Sequence, residues 1–295
     1  MTNVSFEPFS REPEYVEVNR LFIQSLGLPL DARVLDVACG TGTLTGIIRS
    51  ELDARSTTRN GRNYLAERRF SIIGLDICRE CLMLAERYLA NTRVPGQRAV
   101  YWLQASATAL PLKADCMEAV IIGNAIQLFD TKREIVSEAG RVLVRGGILA
   151  FNTSFYAGTF LPGTERFYLL WVQEALRYIH EKDSAGRIQG QARIPRKKGC
   201  AKPAFSNRWL GRREYECLLA ENSFEVQSVV ERTVTLTQHS LEVIGSYAGL
   251  ASVLLSGYPV ELACEALERS VGTTMSALGV DTVPRYWIEF VARKR

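Results

Sequence analysis

The sequence predicts an α/β fold built on a doubly wound, seven-stranded, mostly parallel sheet. Over residues 32–155, five apolar segments alternate with amphipathic or polar ones, which is typical of parallel strands covered by helices on both faces. Two further extended segments follow and bring the count to seven. With 295 residues, 47% of them hydrophobic, the chain is long enough to bury one large core and to carry insertions.

The first half of the chain has a regular order of elements. An amphipathic segment at 13–26, closed by Gly27 and Pro29, predicts an opening helix. The predicted strands lie at 32–38, 70–77, 99–105, 118–126 and 146–155, and the helices between them at 43–52, 79–91 and 131–143.

In the second half, helical insertions follow strands 5 and 6. The segment 165–182 predicts a strong helix whose polar residues Arg166, Gln173, Arg177 and His180 share one stripe. The remaining predictions are a helix at 212–224, a strand at 225–237, two helices near 240–256 and 259–278, and a last strand at 285–293. We therefore expect a core at 1–155, a helical lid insertion with a basic loop at 156–213, and a part at 214–295 that completes the sheet and adds a two-helix substrate cover.

Positive charge is concentrated in one segment. The formal net charge is +4, and the stretch 183–213 contains nine basic residues and the single acid Asp183, which leaves the remainder negative. Such a run is either a solvated loop or a site for an acidic substrate or carrier. Because the charge is confined to this stretch, a whole-surface nucleic-acid footprint is not supported.

The cysteine content and the absence of long apolar runs predict a cytoplasmic protein. The N-terminal residues show no signal-peptide pattern, and the longest weakly charged run, 246–260, is too short and too interrupted to span a bilayer. Seven cysteines at irregular spacing argue against a disulfide framework. Cys78 and Cys81 form the one C-x-x-C pattern, but without a second pair or a nearby His, so we predict neither a metal site nor a thioredoxin-like motif.

The segment VLDVACGTGTLT, residues 34–45, joins a strand to a helix through a glycine-containing loop. Glycines in such a loop let a ligand approach the backbone at a helix N-terminus. A phosphate-binding P-loop is excluded because no Lys follows Gly42, and a dinucleotide fingerprint lacks its third glycine. There remains the pattern of an acid at the strand end followed by spaced glycines, which binds a sulfonium nucleoside.

Four segments in order carry a resemblance to a known family. VLDVACGTGTLT, IIGLDICRECLMLAERYL, WLQASATALPLKADCMEAVIIGNAIQLF and EAGRVLVRGGILAF resemble the motifs of class I S-adenosylmethionine (SAM) methyltransferases, particularly the ubiquinone/menaquinone C-methyltransferase-like (methyltransferase type 11) group. The resemblance covers most of the first 155 residues. It implies a Rossmann-like core, SAM as cofactor and S-adenosylhomocysteine as product.

The resemblance also implies a set of cofactor-binding residues. Asp76 would hold both ribose hydroxyls, although it could instead cap the helix at 79–91. Asp36 would order the glycine loop or accept from the amino acid part of SAM. The full set is Asp36, Ala38, Gly40, Gly42, Asp76, Ile77, Ser106, Ala107 and Asn124. This chain departs from the usual pattern at Ala38 (often Gly), at Ser106 (usually an acid that binds the adenine amine) and at Gln127 (often His), while Glu118 stands where an acid usually opens the fourth motif.

Methyl transfer from a sulfonium requires mainly alignment of the acceptor and, where needed, a proton acceptor. The candidates for this catalytic role are His239, at the start of a cover helix, and Tyr156, just past the fifth strand. The sequence Asn124-Ala125-Ile126-Gln127 is not the Asn-Pro-Pro-aromatic motif of enzymes that methylate exocyclic base amines, which favours a small-molecule acceptor.

The resulting prediction is a SAM-dependent enzyme that methylates oxygen or carbon of a small, largely apolar and possibly acid-bearing metabolite in secondary or isoprenoid/quinone-type metabolism. One alternative is an enzyme of the same fold that catalyses a cyclisation or rearrangement without net methyl transfer. Another is an RNA methyltransferase that docks through the basic loop. We expect a monomer or homodimer without a membrane span.

Overall fold

The computed structural model describes residues 7–57, 71–91, 99–197 and 209–295. The strands are β1 (Val34–Val37), β2 (Ser71–Asp76), β3 (Ala99–Gln104), β4 (Met117–Gly123), β5 (Leu143–Thr153), β6 (Phe224–Thr237) and β7 (Thr282–Lys294). The α-helices are α1 (Glu7–Ser10), α2 (Pro13–Ser25), α3 (Thr43–Thr57), α4 (Arg79–Asn91), α5 (Lys132–Val142), α6 (Glu165–Ile188), α7 (Arg212–Glu221), α8 (Gln238–Gly245), α9 (Ala248–Leu254) and α10 (Val260–Leu278).

The seven strands form one sheet in the order β3-β2-β1-β4-β5-β7-β6. Strands β1 to β5 pair in parallel, and β7 runs antiparallel to β5. This confirms the predicted seven-stranded, mostly parallel sheet. The chain goes from β1 outward to β2 and β3 and then returns to β4 on the other side of β1, so the strand order reverses between β1 and β4.

The central strands are buried on both faces, as continuous apolar runs require. On one face, α2 and α3 pack against alternate strand residues in a cluster that includes Phe22, Ile48, Val34, Ile121 and Ala150. The neighbouring residue of β5, Phe151, points the other way, and its ring lies 5.2 Å from that of Tyr215 and 4.8 Å from that of Phe290. The period of two along the strands thus separates two packed layers.

The chain divides into two compact units, which we call the sheet unit (15–157, 209–232 and 287–295) and the helical unit (1–14, 158–208 and 233–286). The domain bounds drawn from the sequence remain a prediction. In the helical unit, α6 packs against α10, and the Trp171 indole N–H donates to the Leu267 carbonyl at 2.8 Å. The predicted polar stripe on α6 is exposed, as expected of an amphipathic helix.

Helices α3 and α6 continue to Thr57 and Ile188, beyond their predicted ends at 52 and 182, and two other predicted elements differ in kind. The helix predicted at 240–256 is two helices, α8 and α9. Gly245 ends α8 where a Cβ would lie 3.2 Å from the Trp171 ring, and the Ser246 hydroxyl donates back to the Val243 carbonyl. The strand predicted at 118–126 ends at Gly123 because Asn124 has a left-handed φ of 48°, and a short 3₁₀-helix, Ile126–Leu128, follows.

Candidate cofactor site

The carboxyl ends of β1 and β4 meet where the strand order reverses. In doubly wound sheets, ligands bind in the crevice at this position. Asp36 in β1 pairs with Gly74 of β2 on one side and with Ile121 of β4 on the other. The residues predicted from the first and fourth motifs therefore lie at the same edge of the sheet unit.

Asp36 is a buried acid that retains an unused acceptor. Its side chain is 1% exposed, and its Oδ2 accepts from the Thr45 hydroxyl at 2.6 Å. Its Oδ1 is shielded from solvent and has no hydrogen-bond partner among the described residues. Burial raises the pKa of Asp36 to about 7, and the neighbouring charge of Asp76 adds to this rise. The carboxyl group is therefore poised to change its charge near neutral pH.

Asp76, at the end of β2, connects two loops. Its Oδ2 accepts from the Gly40 N–H at 2.9 Å, and its Oδ1 accepts from the Cys78 N–H at 2.9 Å. The second bond closes a turn before α4 begins at Arg79, so Asp76 is not the N-cap of this helix; Cys78 occupies the cap position, and its Sγ accepts from the Cys81 N–H. A carboxylate oxygen has two lone-pair directions, so each oxygen keeps acceptor capacity for a further hydroxyl.

The loop after β1 has an unusual backbone. Ala38, Gly40 and Gly42 have φ values of 57°, 53° and 84°. A Cβ on Gly40 would meet no atom within 4 Å, whereas one on Gly42 would lie 2.9 Å from the Ala85 Cβ and 3.1 Å from the Trp102 ring. Gly42 is therefore required for the packing of α4 and β3 as well as for the turn.

Asn124, after β4, is held by a buried polar network. Its Oδ1 accepts from the Ser154 N–H at 2.9 Å, and its own N–H donates to Asn152 Oδ1 at 2.9 Å. Asn152 Nδ2 donates in turn to Asn19 Oδ1 on α2 at 2.9 Å. The Nδ2 of Asn124 is buried and has no partner among the described residues. The site thus contains one unused buried acceptor and one unused buried donor.

The loops after β2 and β3 contain the remaining predicted cofactor residues. Ile77 directly follows Asp76, and its apolar side chain is 73% exposed. The Ser106 hydroxyl contacts the Thr108 hydroxyl at 2.8 Å and accepts from the Thr108 N–H, so it stabilises its own turn. Ala107 beside it is buried.

The two candidate proton acceptors have different surroundings. Tyr156 is 1% exposed, and its hydroxyl donates to Glu231 Oε1 at 2.8 Å within the sheet unit. His239 lies in the first turn of α8 with its side chain 73% exposed, and its Nε2 is 3.6 Å from Glu12 Oε1 within the helical unit. Their catalytic role remains a prediction.

Sequence reasoning missed several residues that support the site. Asn152 interrupts the apolar strand β5, and Asn19 interrupts the apolar face of α2. A polar residue at a position where the pattern requires an apolar one could have indicated a buried hydrogen-bond network. Glu138 and Arg141 on α5 were also missed. Glu138 Oε2 accepts from the Leu110 N–H, and Arg141 donates to the Leu110 and Leu112 carbonyls at 2.8 Å each, which fixes the loop after β3. Glu118 pairs with Arg33 at 2.6 Å and stabilises the opposite, amino end of β4.

Part of the basic segment can be located. Asp183 accepts from the Ile194 N–H at 2.6 Å, the Lys197 N–H donates to the Gly257 carbonyl at 2.8 Å, and the Arg196 guanidinium lies 5.0 Å from the Tyr258 ring centre. These contacts hold the start of the segment within the helical unit. Lys198, Lys202 and Arg208 lie outside the described residues.

Within the described ranges, no group of three or more His, Cys, Asp or Glu side chains could hold a metal ion. None of the helices in those ranges is long and apolar enough to cross a membrane.

The chain is similar to known methyltransferases. The model of the ubiE/COQ5 methyltransferase family matches residues 18–179, more than half of the chain. The ubiquinone/menaquinone biosynthesis C-methyltransferase UbiE of Campylobacter jejuni is 29% identical over 165 residues, which cover 55% of this chain and 63% of that protein. The chain therefore spans less than two thirds of the length of this relative.

A second relative matches more of the chain. A malonyl-[acyl-carrier protein] O-methyltransferase of Methylococcus capsulatus is 27% identical over 249 residues, covering 81% of this chain and 80% of that protein. Among solved structures, the YcgJ protein of Bacillus subtilis has a TM-score of 0.58 at 16% identity, covering 95% and 98% of the two chains. The [4+2]-cyclase SpnF has a TM-score of 0.51 at 16% identity, covering 95% and 81%. These structural likenesses support the fold.

Proposed function

The chain belongs to the ubiE/COQ5 methyltransferase family, and we propose that it transfers a methyl group from SAM to a small, largely apolar, acid-bearing metabolite. The observation that carries the proposal is the pair of unused buried polar atoms, Asp36 Oδ1 and Asn124 Nδ2, at the strand-order reversal. Buried polar groups are almost always hydrogen-bonded, so an acceptor and a donor that the described residues leave unpaired in this crevice fit a bound ligand. An amino acid group supplies an ammonium for the first and a carboxylate for the second.

The neighbouring loops fit an adenosine. Asp76 offers a carboxylate with spare acceptor capacity on both oxygens, which suits two ribose hydroxyls. Ile77 presents an exposed apolar side chain one residue later, which suits the face of a base. Ser106 offers only a hydroxyl that its own turn already uses, so we infer that recognition of the adenine amine rests more on the backbone than on this side chain.

SAM supplies a methyl group that its sulfonium centre already activates. The protein has to orient the acceptor, exclude water and, for a weakly acidic acceptor, take up a proton. Tyr156 would have to exchange its bond to Glu231 for one to the acceptor, and His239 would have to leave Glu12. A carboxylate oxygen requires no proton removal, because the group is already ionised at neutral pH.

Two features favour an acidic group on the acceptor. In the helical unit, Arg285 is 6% exposed and donates to the Thr159 hydroxyl at 3.1 Å. The Tyr168 hydroxyl is buried without a partner among the described residues, and the nearby charge of Arg285 partly offsets the rise that burial causes in the pKa of Tyr168. A cation and an unused donor suit an anion. The relative from Methylococcus capsulatus is named for an O-methyl transfer to malonyl carrier protein, and its match covers 81% of this chain.

Calorimetric titration with SAM and S-adenosylhomocysteine tests the cofactor. We expect micromolar binding in the wild type and a loss of at least 100-fold in Asp76→Ala, since two charge-assisted hydrogen bonds are worth about 3 kcal/mol or more. Glu118→Gln is the matched control, because it removes an acid at the opposite end of the sheet and should leave binding unchanged. Absence of nucleoside binding in the wild type would refute the methyltransferase proposal.

Methyl transfer itself distinguishes the acceptor atoms. We would supply methyl-labelled SAM with either a long-chain dicarboxylic monothioester or a prenylated hydroquinone, and then treat the product with mild base. A methyl ester releases labelled methanol under these conditions, whereas a C-methyl or aryl ether product does not. We expect the wild-type enzyme to give a base-labile product. We expect Tyr168→Phe to form this product more slowly than the wild type. Consumption of an acceptor without incorporation of label would favour the cyclisation alternative.

A further inference from the structure

Cys78 and Cys81 form a pair at the start of α4 that the proposed function does not use. Cys78 immediately precedes the helix and Cys81 lies in its first turn, and both side chains are partly buried. The Cys81 N–H donates to Cys78 Sγ at 3.3 Å. Residues three apart on a helix have Cβ atoms about 5–6 Å apart, and a disulfide requires about 3.5–4.5 Å. Closing the bond therefore requires a small movement of the backbone at Cys78, which lies just before the helix.

The thiols are already in contact in the reduced protein. The pKa of Cys81 is raised to about 12, first by burial and then by its hydrogen bond with the Cys78 thiol, with further contributions from Asp76 and Glu80. Cys78 Sγ also donates to Glu80 Oε2 at 3.6 Å. Cys39, the other cysteine near this edge, is buried beneath the glycine loop and its Sγ contacts the Gly40 carbonyl at 3.9 Å.

The pair is linked directly to Asp76. The Cys78 N–H donates to Asp76 Oδ1, and Gly40 holds the other oxygen. Ile77 lies between Asp76 and Cys78 in the chain. Any movement of the Cys78 backbone therefore changes the position of the carboxylate to which we assign the ribose.

We propose that Cys78 and Cys81 are a dithiol site for small-molecule disulfides of the glutathione type, and that its oxidation weakens cofactor binding. The Cys78 thiolate attacks one sulfur of the disulfide, which forms a mixed disulfide and releases one thiolate. Cys81 then loses its proton to solvent and its thiolate attacks Cys78 Sγ, which displaces the second thiolate. The protein dithiol loses two electrons, and the small disulfide is reduced to two thiols.

The second part of the proposal rests on the proposed function. A disulfide holds its sulfur atoms about 2.05 Å apart, which draws Cys78 Sγ away from the Cys81 N–H and from Glu80. The Cys78 backbone follows and strains its hydrogen bond to Asp76. Because coupling between two sites is reciprocal, a bound cofactor should protect the dithiol from oxidation by the same factor.

Peptide mapping tests the dithiol. The whole protein is equilibrated with glutathione disulfide, alkylated and digested with trypsin, which cuts after Arg79, between the two cysteines. We expect peptides 70–79 and 80–87 to be recovered joined by a disulfide, with the Cys39 peptide 34–49 alkylated. Separate, alkylated peptides, or a link from either to 34–49, would overturn the proposal.

Titration with S-adenosylhomocysteine tests the coupling. We expect the dissociation constant of the oxidised wild type to be at least fivefold higher than that of the reduced protein. Cys78→Ser, which removes the attacking thiol, should show equal affinity under both conditions, while Cys264→Ser, which removes a thiol from α10, should behave as wild type. Equal affinity of the two wild-type forms would refute the coupling. If the reduced protein binds no nucleoside, the proposed function falls and the coupling with it, while the peptide map still decides the dithiol.

Discussion

The loops that follow β1 and β2 both begin with a strand-end aspartate, but they are stabilised in opposite ways. After β1, Asp36 is buried with an unused oxygen, and three residues have left-handed backbone. After β2, both oxygens of Asp76 are hydrogen-bonded, and no residue from 71 to 91 has a positive φ. The first loop is strained, and the described residues leave one oxygen of its carboxylate unpaired, whereas both oxygens of the second carboxylate are bonded. We infer that the cost of preorganising the site falls mainly on the first loop.

The largest expected effect concerns the charge of Asp36. Because its pKa rises from 3.8 unfolded to about 7 folded, the folded protein holds more protons than the unfolded chain between these values. Its contribution to stability therefore falls as pH rises from about 4 to 7. Asp36→Asn should raise the free energy of unfolding by roughly 4 kcal/mol at pH 8 and by less than half as much at pH 5, while weakening cofactor binding. Urea unfolding at both pH values measures this.

Asp76→Asn is the matched control for that experiment. An amide can accept only through its oxygen, so it would present an N–H group to either Gly40 or Cys78. We expect a loss of about 1–3 kcal/mol. Stabilisation by both asparagine variants would remove the contrast between the two loops.

The next effect concerns packing under the first loop. Gly42→Ala places a Cβ against Ala85 and Trp102 and keeps an unfavourable φ, so we expect a loss of roughly 2–3 kcal/mol in unfolding free energy. Gly40→Ala has a similar φ but open space, and should lose only about 1 kcal/mol. Equal losses would show that backbone conformation alone, and not contact with α4 and β3, determines the glycine at position 42.

The smallest effect concerns Ala38. Its φ of 57° costs about 1 kcal/mol for a residue with a Cβ, and glycine would relieve this while adding freedom to the unfolded chain. Ala38→Gly should therefore raise the unfolding midpoint by an amount equivalent to less than 1 kcal/mol. Destabilisation instead would mean that the methyl group of Ala38 makes a packing contact worth more than the strain.

The sequence predicted the sheet well because apolar periodicity is a local signal, and the spaced glycines predicted the turn between β1 and α3 for the same reason. It could not predict that the described residues would leave Asp36 Oδ1 without a partner, since that depends on Thr45 and on burial by elements distant in the chain. The left-handed conformation of Ala38 could not be predicted either, because alanine, unlike glycine or asparagine, does not indicate a positive φ. Tyr156 looked available beside the fifth strand, and only the fold revealed that Glu231 of β6 binds its hydroxyl.

The hydrogen bonds that join Asn19, Asn152 and Asn124 determine which end of each amide donates and which accepts. Asn19 Nδ2 donates to the Tyr15 carbonyl, which leaves its oxygen to receive Asn152 Nδ2, and the Asn152 oxygen then receives the Asn124 backbone N–H. The bond to Tyr15 fixes which end of the Asn19 amide faces Asn152, and the bond from Asn152 to Asn19 fixes which end of the Asn152 amide faces Asn124. The Ser154 N–H completes the sequence by holding the oxygen of the Asn124 side chain inward. The bonds to Ser154 thus leave the Asn124 side chain with a hydrogen-bond donor to offer a ligand, beside the acceptor that Asp36 offers at the same edge.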